Sequence, residues 1–337
     1  MSRVLIATIV AMVISILIGP KFIEFLRRRE LGQHIREGVP PGHVVKQGTP
    51  TMGGVLVVLV ASLAFLALSR YTTAALTVFF ATVSCAAVGF LDDFIKLTHR
   101  RSLGLSGRWK LLLLAAISAA VGYLAHERGL DTSVYLPVVD WDVPLSWLWY
   151  ALVFFVIAGA ANGVNLTDGI DGLAAGTGTI AIFTFTAMAV FTYVRTGQVG
   201  TQSLPALDMA ILGGALIGGL IGFLWYNAFP AEVIMGDTGS MAIGGALGAF
   251  AIMMETEVLL LLIGGIFLIE ALSVMIQVFS FKYLGRRVFL IAPIHHHFEM
   301  KAWSETKIMV RFWIVTGIFC ASAFALYYRY FFGFRGR

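Results

Sequence analysis

Long apolar runs alternate along the chain with short polar segments. A helix needs about 20 mainly apolar residues to cross a bilayer, and runs of roughly that order fall near 4–25, 53–69, 73–91, 110–126, 147–161, 173–194, 207–225, 240–254, 257–280 and 309–328. All of these, about ten in number, read as helices. They are rich in Gly and Ala as well as Leu and Ile, which suits helices packed closely against one another. One stretch has a different period: Tyr135-Leu-Pro-Val-Val-Asp140-Trp-Asp142-Val-Pro144 alternates, and predicts a short β-hairpin on the outer membrane surface. The expected fold class is therefore an all-α integral membrane protein, one polytopic domain over residues 1–337.

Composition agrees. With 58% hydrophobic and only 13% charged residues among 337, and a mean hydropathy of +0.86, a soluble core is excluded. The first run passes through Gly19-Pro20 into a basic stretch where a cleavage site would be expected, so it reads as a retained anchor. Cys85 and Cys320 lie inside apolar runs and read as small buried hydrophobes, not as a disulfide or metal ligands. Charge then orients the chain. Of the 24 lysines and arginines, six lie between Lys21 and Lys46, five between Lys96 and Lys110, and six between Lys282 and Arg311. By the positive-inside tendency these segments are cytoplasmic. Both termini are then outside, and Arg27-Arg28-Arg29 is an anchor at anionic headgroups.

The polar segments carry the candidate chemistry. Asn162-Gly-Val-Asn165-Leu-Thr-Asp168-Gly-Ile-Asp171-Gly172 concentrates two carboxylates, two carboxamides and several glycines between apolar runs, without Lys or Arg. Its glycines argue against a full helix and for close backbone approach to a ligand. Asp168 and Asp171 read as partners for a bound polar group or as relays to a metal; a solvated turn is the plainer alternative. Asp92-Asp93 end the third run, where the helix dipole disfavours acids, so a nearby cation such as Lys96 or a metal is expected, with interfacial solvation as the alternative. Gly236-Asp237-Thr238-Gly239-Ser240 opens the eighth run, in a setting suited to a divalent cation and the phosphates it bridges, or to a simple N-cap. Thr49-Pro-Thr51-Met-Gly-Gly54 is either an anion seat or a helix cap. Glu270, Ser273 and Gln277 share a helix face. Three successive histidines, His295, His296 and His297, converge poorly on one metal ion and read as phosphate or substrate donors, with Pro293 setting the turn.

Taken together and in order, Asp-Asp-Phe-Ile-Lys, Asn-Leu-Thr-Asp-Gly-Ile-Asp-Gly-Leu, Met-Gly-Asp-Thr-Gly-Ser and Pro-Ile-His-His-His-Phe-Glu closely resemble the phospho-N-acetylmuramoyl-pentapeptide transferases. These form a branch of the polyprenyl-phosphate N-acetylhexosamine-1-phosphate transferases. The resemblance covers almost the whole chain, and the triple-histidine motif separates this branch from relatives that transfer N-acetylglucosamine phosphate. It implies a bacterial inner-membrane enzyme that moves phospho-MurNAc-pentapeptide from UDP-MurNAc-pentapeptide to undecaprenyl phosphate, giving lipid I and UMP in the first membrane step of peptidoglycan synthesis. It also implies Mg2+, a homodimer, and Asp237 with Asn165 as metal ligands. Asp168, Asp171, Asn227, Gly236, Ser240, Gln277 and His296 are placed by motif around the nucleotide and sugar. Ile234 is a departure: an aromatic ring for stacking on uracil is expected there, and an aliphatic face stands in its place.

Joining two anionic phosphates at a membrane boundary requires charge neutralisation, a role expected of Lys46, Lys96 and Lys110 together with the metal at Asp237. Asp92 and Asp93 have two possible uses: deprotonating the lipid phosphate for direct attack, which is preferred because a phosphate dianion is already nucleophilic, or forming a covalent intermediate. The rival class is an ion-coupled secondary transporter, which would place acids at the bilayer midplane; here nearly all lie at run ends. A non-catalytic lipid-binding scaffold is a third option. Nucleic acid is not an expected partner.

Overall fold

A computed structural model describes residues 1–29, 48–99, 104–198 and 200–333, with side chains of 331–333 excepted. Its elements are α1 (Ser2–Arg28), α2 (Gly54–Leu68), α3 (Thr73–Thr98), α4 (Gly107–Glu127), β1 (Ser133–Leu136), β2 (Trp141–Pro144), α5 (Leu148–Thr167), α6 (Leu173–Gln198), α7 (Leu204–Asn227), α8 (Gly236–Met253), α9 (Glu257–Ile263), α10 (Gly265–Leu284), α11 (Ile294–Glu299) and α12 (Glu305–Gly333). Among the described residues eight helices are long and apolar enough to cross a membrane: α1, α3, α4, α5, α6, α7, α10 and α12. The shorter α2 and the glycine-rich α8 complete the bundle.

Helix α8 is its axis. Beyond Asp237 every residue of α8 is buried, and it packs on α3 and α5, while α7 packs on α1 and α6. Glycine sets the spacing where it matters most: a Cβ at Gly89 of α3 would fall 2.1 Å from the Asp237 carbonyl oxygen. Only a missing side chain lets α3 approach the start of α8 so closely.

The expected hairpin forms, antiparallel and in the register Ser133↔Pro144. Arg3 Nη1 donates to Leu68 O, and Thr192 meets Tyr327 through their hydroxyls at 2.6 Å. Helix α1 therefore begins, and α12 finishes, at the end of the bundle where α2 ends and α3 starts. Asp208, in the first turns of α7, has a fully buried carboxylate at that end. It accepts hydrogen bonds from Ser69 Oγ, Arg70 N, Thr72 N and Thr72 Oγ1 at 2.8–3.0 Å, fixing the α2–α3 connection to α7.

Two element boundaries differ from expectation. The run near 257–280 is two helices, broken at Gly264-Gly265, where Phe319 occupies the place a side chain on Gly265 would need; paired glycines are an established cause of such breaks. Conversely, α5 continues through Asn162, Gly163 and Asn165 as far as Thr167. Gly163 thus lies within a helix that the glycines were expected to interrupt, and Asn162 Nδ2 donates to Ala158 O and Thr167 Oγ1 to Gly163 O, each one turn back. Cys85 and Cys320 are buried free thiols, as expected.

Candidate active site

Helix α3 runs to Thr98, so Asp92 and Asp93 sit inside it, 1% and 3% exposed. That excludes interfacial solvation for both. Their environments nevertheless differ. Asp92 faces two ammonium groups, Lys96 Nζ at 2.6 Å and Lys110 Nζ at 3.2 Å, and accepts the Leu105 N–H at 2.8 Å. The same lysines reach Asp237 Oδ1 at 3.0 Å and Oδ2 at 2.7 Å. Lys96 is one turn along α3 from Asp92, and Lys110 stands in the first turn of α4, so three helices supply one charge cluster.

Asp93 looks the other way. Its carboxylate accepts from Asp237 N at 3.1 Å, from Thr238 N at 2.9 Å and from Thr238 Oγ1 at 2.8 Å. Both oxygens are occupied with the first turn of α8, which they cap from outside. Gly236, at φ +75°, makes that turn; a Cβ there would lie 2.8 Å from Asp93 Oδ2. Asp237 is thereby held with its own carboxylate toward the lysines. Ligand oxygens of Asp92, Asp93 and Asp237 lie within 4.8 Å of one another. Three carboxylates at this spacing could hold a metal ion. Asn165 adjoins the cluster through Ser240, its Nδ2 donating to Ser240 Oγ at 3.0 Å.

The segment 168–172 is a turn, not a helix face. Asp171 Oδ2 accepts from Ala231 N at 3.0 Å, and Asn227 accepts from Gly172 N while donating to Val233 O. These contacts tie the turn to the loop preceding α8. Burial pushes the Asp168 carboxyl up from 3.8 to about 8, assisted by the negative charges of Asp237 and Asp93; the Gly236 N–H opposes the shift.

Thr49 to Gly54 is paired edge to edge with the same loop. Gly53 N donates to Ile234 O and Gly54 N to Met235 O, each at 2.9 Å, and Ile234 N donates to Pro50 O at 2.8 Å. Those N–H groups are not available as an anion seat, and neither threonine makes an N-cap bond to α2. Thr51 Oγ1 instead lies beside Gly236.

The geometry now bears comparison with known proteins. Residues 75–255 match the profile of Glycosyl transferase family 4, and residues 46–58 match phospho-N-acetylmuramoyl-pentapeptide-transferase signature 1. A phospho-N-acetylmuramoyl-pentapeptide-transferase of Rubrobacter xylanophilus is 47% identical, covering 97% of this chain and 98% of the relative. Those of Halalkalibacterium halodurans and Frankia alni are each 43% identical with the same coverage. The chain belongs to the phospho-N-acetylmuramoyl-pentapeptide transferase family.

Family membership frames what sequence placed well and what it did not. The structure unites Asp92, Asp93, Lys96, Lys110 and Asp237, with Asn165, Asp168, Gly236, Ser240 and Thr51 around them. Lys46 lies outside the described residues. Four expected ligand-binding side chains, Gln277, His297, Asn227 and His295, are committed to the protein itself. Gln277 accepts from Val288 N and Phe289 N and donates to Phe289 O, pinning the loop before α11. His297 Nδ1 accepts the Leu290 N–H at 3.1 Å, and burial holds its pKa below the ordinary imidazole value. Asn227 is buried in the turn contacts above. His295 is fully buried against Glu270, and His296 Nδ1 pairs with Glu299. Sequence reasoning named Thr238 but missed that it binds Asp93, and missed that Leu105 N binds Asp92; contacts between separate helices and loops leave no local motif.

Proposed function

We propose that the chain transfers phospho-MurNAc-pentapeptide from UDP-MurNAc-pentapeptide to undecaprenyl phosphate, releasing UMP and forming lipid I. The observation that carries this reading is the convergence of Asp92, Lys96, Lys110 and Asp237 at the end of a membrane bundle, in a chain whose relatives bear the transferase name over nearly their full length.

Two lysines on mobile stems supply positive charge to phosphate oxygens, and the carboxylates they now engage release them when phosphates arrive. Asp92 is the acid placed to accept a proton from, or orient, the acceptor phosphate. An oxygen of that phosphate attacks the sugar-linked phosphorus, the bond to the UMP oxygen breaks, and the electron pair leaves with UMP. Asp93 is a poor nucleophile because three donors hold its oxygens, which supports direct attack over a covalent enzyme intermediate. Asp237, with Asp92 and Asn165 beside it, would hold Mg2+, which when bound supplies charge stabilisation for the departing phosphate. Asp168, Asp171 and His296 border the same region and are assigned to the sugar nucleotide.

The basic loops support a site on the cytoplasmic face of the inner membrane, with both termini outside. A homodimer is part of the same reading, and light scattering on the detergent-solubilised 36.6 kDa chain tests it. The decisive assay incubates purified protein with both substrates and follows UMP and lipid I. Product that appears with Mg2+ and disappears with EDTA is expected. Absence of UMP release, or a labelled phosphosugar adduct trapped on the protein without lipid acceptor, overturns the reading or its direct mechanism respectively.

A further inference from the structure

Glu270 is a carboxylate with no exposed surface in the apolar helix α10, and the transfer scheme above does not use it. An acid so placed is costly unless paired. Its Oε1 lies 3.0 Å from Nδ1 of His295, whose side chain is likewise wholly buried. A carboxylate at Nδ1 makes that nitrogen the proton carrier and fixes the ring, so Nε2 points the opposite way. Nε2 has no hydrogen-bond partner among the described residues. It faces the turn after α5, where a Cβ on Gly169 would stand only 2.3 Å from it.

The pair thus joins α10, α11 and the turn bearing Asp168 and Asp171. A small separate core draws in the same segments: Ile266 of α10 and Ile170 and Leu173 beside the turn form it, with Ile294 and Phe298 of α11 packed against it. The His296 ring sits 4.1 Å from the His295 ring, centroid to centroid. Whatever moves His295 therefore moves both His296 and the turn.

We propose that Glu270 is a positioning residue for the transfer reaction: its carboxylate orients His295, and that ring sets His296 and the Asp168-containing turn in mutual register. Glu270 touches no reacting group, and the proposal rests on the transferase reading.

Glu270→Gln keeps the size and one acceptor oxygen while removing the charge. In protein labelled with 15N-histidine and held in nanodiscs, wild type should show a downfield imidazole N–H proton from each carboxylate-paired ring, His295 with Glu270 and His296 with Glu299; the first is the one that decides. That signal should persist in His296→Asn and vanish in Glu270→Gln and His295→Asn. In UMP-release assays Glu270→Gln should lose about tenfold to a hundredfold in kcat, with KM for the sugar nucleotide changed less than about twofold. Glu270→Asp should recover part of the loss. Gly169→Ala, which presses on the ring from the opposite side, should lower kcat and shift the same signal, and serves if the Gln variant does not fold. A Gln variant with wild-type kcat, or a downfield signal that is lost in His295→Asn yet unchanged in Glu270→Gln, overturns the proposal. Wild-type protein that releases no UMP sinks the transferase reading instead, and the resonance still decides the pair.

Discussion

Adjacent aspartates on one helix have been given unlike tasks by what stands opposite them. Asp92 meets lysine ammonium groups, whereas Asp93 meets the N–H groups of α8. Replacing each with Asn separates the two. Asp92→Asn should fold with an unchanged thermal midpoint and lose about 10²- to 10⁴-fold in kcat, the range for a general acid–base group. Asp93→Asn turns an amide N–H2 toward Thr238 donors, and should cost about 1–3 kcal/mol of stability besides activity; thermal unfolding in detergent beside the UMP assay reads both. Equal stability loss in the two would end the distinction. Asp168 offers a pH test. Its carboxyl rises from 3.8 unfolded to about 8 folded, so its contribution to stability is fully present below about 3.8 and is lost as pH rises through about 8. In EDTA, wild type should therefore lose thermal stability as pH rises from about 3.8 to about 8, and Asp168→Asn, neutral throughout, should lose less.

Among elements, buried aspartates tie helices together at both ends of α3. Asp208 of α7 holds the connection just before α3, and Asp93 near the end of α3 caps the start of α8. Removing the first should therefore loosen the bundle away from the chemistry. Asp208→Ala removes a fully buried acceptor from the part-buried donors of Ser69, Arg70 and Thr72, and should cost about 1–3 kcal/mol in all. A thermal midpoint well below wild type with kcat retained at low temperature is expected; a selective kcat loss at full stability would refute a purely structural role. These contacts also mark where reading the sequence stopped. Long apolar runs announced most helices, because hydrophobic length alone decides what can cross a bilayer. Gly264-Gly265 looked like Gly178 or Gly248, which only relieve crowding between helices, so the break between α9 and α10 stayed hidden. Acids, lysines and histidines at run ends identified most of the charge cluster by residue type. Which oxygen faced a lysine and which an N–H depended on helices far apart in sequence, and no local pattern encodes that.

At the scale of the molecule, one asymmetry organises the rest: the charge cluster, the histidine helix and the turn after α5 gather at one end of the bundle, while the hairpin and the outer ends of α1 and α12 occupy the other. A reaction between a water-borne sugar nucleotide and a lipid phosphate requires the first end to open on the compartment that holds the nucleotide. The lysine and arginine distribution supports the proposal that this is the cytoplasm. The arrangement lends itself to thiol mapping, since native Cys85 and Cys320 are buried and provide a silent background. Val138, 69% exposed at the hairpin, and Ser106, exposed just before α4, mark the two ends. In intact cells a membrane-impermeant maleimide should label Val138→Cys and spare Ser106→Cys, and permeabilisation should expose the second. The reverse pattern would put the carboxylate and lysine cluster on the side without nucleotide, where transfer has no donor, and the proposed reaction would fail with it.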